Sequence, residues 1–181
     1  GLENRWTDMD KHEMYCAGHL LEAGIAYKKA TGKTTLMNVG VRMVEHIMSI
    51  FNENGRHWVP GHEEIELALV KLADETGERK YLDYAYWILS QRGHGYGVTA
   101  EGIMDENNHW NAPYYQDAVP VEQLRSISGH AVRSMYLFCA MCDVAARMPN
   151  THYEEALDTL WEDVVHRNMY VTGGIGVAYC T

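Results

Sequence analysis

Cysteine is sparse in this chain. Cys16, Cys139, Cys142 and Cys180 are its four cysteines, too few for the disulfide framework of a small secreted scaffold. Cys139 and Cys142 form a C-A-M-C pair inside the apolar helical run YLFCAMCDVAARM. There they read as small core residues rather than as a redox or metal pair. Positive charge is also short, with 15 Lys and Arg against 25 Asp and Glu and a net charge of -10. Nucleic acid and anionic membrane surfaces both require clustered Lys and Arg, so neither is an expected partner. No apolar run approaches the length of a membrane span. The opening GLENRWTDMDKHE has neither the basic start nor the apolar stretch of a signal peptide. It also has no Met at position 1, and the expectation is a piece cut from a longer polypeptide.

What remains is an ordinary globular composition. The 181 residues are 46% hydrophobic and 22% charged, which fits one domain with a sizeable core. Helical periodicity runs almost throughout. Met14, Ala17, Leu21 and Ile25 recur at three to four residues, and Thr31-Gly32 ends that helix. Leu36, Val39, Met43, Ile47 and Ile50 form the stripe of the next. A second pair turns at Thr76-Gly77, and a third, from about Val121 to Met148, turns at Pro149-Asn150 and returns from Tyr153 to Arg167. This is an internal repeat of antiparallel helical hairpins, and the fold class is all-α. An open solenoid and a closed barrel both satisfy the periodicity.

One region, from Gly93 to about Pro120, has no sustained period: GHGYGVTAEGIMDENNHWNAPYYQDAVP. Loops of this length inside a domain are usually functional or disordered. Tyr96, Trp110, Tyr114 and Tyr115 argue against disorder, and aromatics beside polar groups suit stacking on a sugar or packing on the helices.

Histidine is abundant, with 10 residues. Three follow a glycine at the first helix of each hairpin: His19, His62 and His130. A glycine inside a helix costs about 1 kcal/mol against alanine, so its repetition points to close approach of a backbone or a ligand. If the first helices line a common centre, the three imidazoles converge on it. His62, after Pro60-Gly61 near a helix N-terminus, is followed by Glu63, Glu64 and Glu66. The His-Glu pairs at His12 and His62 lack the second histidine of a zinc protease, and the glycines of TGGIG lack a phosphate-loop Lys.

Four blocks carry a family resemblance: KHEMYCAGHLLEAGIAYKKATGK, PGHEEIELALVKLADETGERKYLDYAYWILSQRG, YYQDAVPVEQLRSISGHAVRSMYLF and NMYVTGGIG. In order and spacing they resemble the bacterial β-L-arabinofuranosidase family of glycoside hydrolases. The resemblance implies an (α/α)6 barrel, of which three hairpins are about half. It implies inner first helices and a barrel mouth where histidines contact the sugar. On this chain those are His62 and His130, and His19 with His12 as a competitor; Glu63 is a further expected sugar contact. Tyr114, Gln116 and Asp117 fall in a matching block without an assigned role. Family members resemble retaining enzymes whose cysteine nucleophile sits on zinc through a Glu-x-Cys motif and a Cys-Cys pair, with a separate glutamate as acid/base. All of these follow the T-G-G-I-G block. None of the four cysteines here stands in either motif. The expectation is a fragment with part of the sugar pocket and without the zinc-thiolate nucleophile, binding no zinc and inactive alone. Its partner is a carbohydrate, and its exposed half-barrel faces favour self-association.

Two other readings compete. A helical-barrel sugar epimerase would use a histidine pair for proton transfer beside a carbonyl. A non-catalytic helical-repeat module would bind a peptide.

Overall fold

The computed structural model describes residues 2–99, 102–103 and 112–176. Trp110 and much of the aperiodic loop expected at about 93–120 lie outside the described residues. Among the described residues, six α-helices form three hairpins. Helix α1 (Glu13–Thr31) pairs with α2 (Thr35–Ile50), α3 (Ile65–Thr76) with α4 (Arg79–Leu89), and α5 (Ala131–Ala145) with α6 (Glu154–Asp163). The first two turns are built alike. Gly32 and Gly77 both adopt φ +73°, and their N–H groups donate to the carbonyls of Lys28 and Ala73 at 2.8 Å. A side chain in that left-handed conformation would be strained, so glycine ends both helices. The third turn uses Asn150 at φ +69° after Pro149.

Helix α3 packs on both α1 and α5, while α2, α4 and α6 pack on their hairpin partners. Flanked on both sides, α3 buries Ile65, Leu67, Ala68, Leu69, Val70 and Leu72 together with Glu66, and exposes Lys71 and Asp74 toward its C-terminal end. Leu21, Leu69 and Leu72 are fully buried; truncating any one to alanine costs about 2–5 kcal/mol.

Helix α2 is rotated from the expected stripe. It buries Met37, Gly40, Val44 and Ile47, and Val39 is exposed. Two glycines decide this. A Cβ on Gly24 would lie 2.6 Å from the Met37 Cα, and one on Gly40 would lie 3.1 Å from the Leu21 Cα. The helices therefore meet through Gly24 and Gly40 at a separation that larger residues forbid.

The third hairpin also departs from expectation. Helix α5 begins at Ala131, not near Val121. A 3-10 turn occupies Val121–Gln123 after Pro120, and Gly129 at φ +67° interrupts the chain before the helix. Cys139 and Cys142 are exposed on α5 rather than buried in the core. Leu137, Ala140, Met141 and Val144 take the core-facing side. The opposite side, with Val132 half exposed, leaves an open groove of about 310 Å³ lined by Leu67, Val132, Met135, Tyr136, Cys139 and Ile175.

Candidate functional site

Each Gly-His pair stands where two stretches of chain close on one another. A Cβ on Gly18 would lie 2.8 Å from the Glu64 Cγ and 3.0 Å from the Ile65 Cα. One on Gly61 would lie 2.5 Å from the Met9 carbonyl oxygen, and one on Gly129 would lie 2.3 Å from that of Pro113. The glycines thus draw the start of α3, the Met9–Lys11 turn and the Ala112–Tyr115 turn against the histidines that follow them. The pairs do not occupy matching helical positions. His19 lies within α1, His62 precedes α3, and His130 is the N-cap of α5.

The three histidines nevertheless converge, with His62 as the hub. Its ring centroid is 4.5 Å from Tyr15, 5.4 Å from Tyr136, 5.9 Å from His12 and 6.0 Å from His130. Tyr15 meets His19 edge-on at 4.4 Å, and Tyr114 meets His130 edge-on at 5.7 Å. His12 and His19 therefore both belong to the cluster. Sequence reasoning gave Tyr114 no role and passed over Tyr15 and Tyr136. Tyr15 was legible: it lies three residues after His12 and four before His19, on one helix face. Nothing in the sequence marked Tyr136.

The surroundings favour neutral imidazoles at His62 and His130. Burial pushes His62 down to about 3, helped by the Arg133 guanidinium and the neighbouring imidazoles. His130 is lowered too, by burial and then by Arg133. The His130 Nδ1 accepts the Arg133 backbone N–H at 3.4 Å, which puts its proton on Nε2. Arg133 is buried, with Tyr114 and Tyr115 rings 4.8 and 4.5 Å from its guanidinium and Asp10 3.6 Å away. A neutral imidazole offers one donor and one acceptor, the combination a sugar hydroxyl needs.

Three carboxyls lie beneath the rings. Glu63, expected as a sugar contact, is fully buried with Oε1 3.1 Å from Arg92, and burial raises it to about 8. Its carboxyl faces the interior. Glu66 is equally buried, 3.9 Å from Arg92, and is raised by burial. Glu64 lies 3.2 Å from the His19 Nδ1; burial, then the nearby Glu22, raises it to about 8. His19, Glu22 and Glu64 place ligand-type atoms within 4.8 Å of one another, but the Lys71 ammonium already bonds Glu22.

Residues 1–179 match the β-L-arabinofuranosidase GH127 catalytic domain. The chain belongs to this family. It is 34% identical, over 91% of its length, to a non-reducing end β-L-arabinofuranosidase of Bifidobacterium longum subsp. longum, and covers 27% of that relative. It superposes with a TM-score of 0.88 and 36% identity on a GH127 β-L-arabinofuranosidase from Geobacillus stearothermophilus T6, covering 97% of this chain and 29% of that one. A second GH127 β-arabinofuranosidase structure gives a TM-score of 0.80 at 34% identity, over 93% of this chain and 25% of that one. The three hairpins are thus part of a GH127 (α/α)6 barrel, and the chain spans less than a third of the relatives it matches.

Proposed function

We propose that the complete protein carrying this chain hydrolyses β-L-arabinofuranosides or related plant-type glycans, and that these residues supply the part of the pocket that grips the sugar. The observation that carries this reading is the convergence of His12, Tyr15, His19, His62, His130 and Tyr136 on one site from three separate segments. Neutral His62 and His130 each exchange hydrogen bonds with ring hydroxyls, and the tyrosine faces cover the apolar side of the furanose. Contacts that tighten as the ring flattens toward an oxocarbenium ion lower the barrier rather than only the KM.

Glycoside hydrolysis needs one group to attack the anomeric carbon and one to protonate the leaving oxygen. In this reading both come from outside the chain. The zinc-thiolate that the family resemblance implies does not fit the residues described. Cys16, Cys139 and Cys142 are exposed on α1 and α5, and none belongs to the grouping of His19, Glu22 and Glu64.

The complete protein, incubated with p-nitrophenyl β-L-arabinofuranoside, is expected to release free L-arabinose. Conversion of a free sugar to its epimer, with no glycoside cleaved, would favour the epimerase and sink this reading.

A further inference from the structure

Arg92 is a large side chain with no exposed surface. Its Nη1 donates to the Tyr115 carbonyl at 2.7 Å and its Nη2 to the Pro60 carbonyl at 2.8 Å. Glu63 and Glu66 stand beside it, at 3.1 and 3.9 Å. One carbonyl belongs to the segment that carries His62, the other to the segment that carries Tyr114. Pro60 is followed by Gly61 and His62. Tyr115 follows Tyr114, whose carbonyl accepts the His130 N–H at 3.3 Å and the Gln116 amide at 3.1 Å. Next to Arg92, the Gly93 N–H donates to the Asp117 Oδ1 at 2.7 Å, which fastens the same loop a second time.

We propose that Arg92 is a positioning residue of the sugar site: its guanidinium ties the Pro60 carbonyl to the Tyr115 carbonyl and so sets the separation of His62 from the Tyr114–His130 pair. This rests on the sugar-binding reading above. Arg92 has no exposed surface, so it touches no ligand and acts only through the segments it holds. A planar fork bridges two acceptors at fixed separation, which a single ammonium on a flexible stem does not.

The test uses the complete protein labelled with ¹⁵N-histidine. Arg92→Lys keeps the positive charge but removes the fork. The ring signals of His62 and His130 are both expected to shift. Affinity for methyl β-L-arabinofuranoside is expected to fall by about tenfold or more, the scale on which supporting residues act. Leu160→Ala, a buried truncation in α6, which carries none of the rings of the site, is expected to lower stability while leaving both signals and the affinity unchanged. An Arg92→Lys protein that loses stability as Leu160→Ala does, with neither imidazole shifted, would overturn the assignment. If Arg92→Lys does not fold, Asp117→Ala removes the second fastening of the loop that carries Tyr114 and Tyr115. It should then move the His130 signal and leave that of His62; movement of both or neither counts against the proposal. Shifts in both imidazoles under Arg92→Lys, in a protein that never binds the arabinoside, would leave the strut standing and remove the sugar reading.

Discussion

Gly18 packs so closely on Glu64 that a Cβ at residue 18 would meet the Glu64 Cγ at 2.8 Å. That approach brings the Glu64 carboxyl beside the next residue, His19, at 3.2 Å. The glycine of this pair is therefore a packing device that serves the histidine. Gly18→Ala gains helix propensity of about 1 kcal/mol but forces the α3 backbone at Ile65 to shift, which costs about 1–3 kcal/mol. The net expectation is lower stability, read by chemical denaturation, and a shifted His19 ring signal. A variant as stable as the parent with His19 unmoved would contradict the packing argument.

His62→Ala and His130→Ala are each expected to weaken arabinoside binding by about tenfold, equivalent to about 1.4 kcal/mol. His166→Ala is the control, because His166 is exposed and pairs with Glu162, outside the cluster of rings. Calorimetric titration of the complete protein separates them. Equal affinities for all three variants would remove His62 and His130 from the site.

The depressed His62 predicts an acid-side stability change of definite sign. Its folded value of about 3 lies below the ordinary 6.5, so between those pH values the unfolded chain binds more protons. Stability from this residue is full above about pH 6.5 and falls as pH drops toward 3. Glu63, raised to about 8, acts in the opposite sense: its contribution is full below about pH 4.5 and is lost as pH rises toward 8. Comparing the parent with His62→Asn isolates the imidazole. From pH 7 to pH 5 the parent is expected to lose up to about 2 kcal/mol relative to the variant. A difference that stays constant with pH would show that His62 is not held neutral.

The uncovered side of α5 predicts association. Val132, Met135 and Cys139 line an open apolar groove, and Val132 is 50% exposed. The isolated 181-residue chain is expected to sediment as more than a monomer, and Val132→Glu to shift it toward monomer. A monodisperse monomer at high concentration would refute this.

Much of the fold was legible in the sequence. Gly32 and Gly77 mark the first two turns, and the apolar periods of α1 and α3 locate the helices between them. Such signals are local: a period of three to four residues reports which face of one helix avoids water. They cannot report which neighbour covers that face. Hence α2 turned out rotated onto Met37 and Val44, Cys139 and Cys142 fell on the open side of α5, and α5 began ten residues late behind Gly129. The histidines of the site were identifiable by residue type and by family resemblance. Their convergence on His62, the burial of Glu63 against Arg92, and the recruitment of Tyr136 were decided only by the tertiary structure. The physical reason is that Gly18, Gly61 and Gly129 permit backbones distant in sequence to approach more closely than a Cβ would allow, and which backbones meet there is a property of the assembled helices.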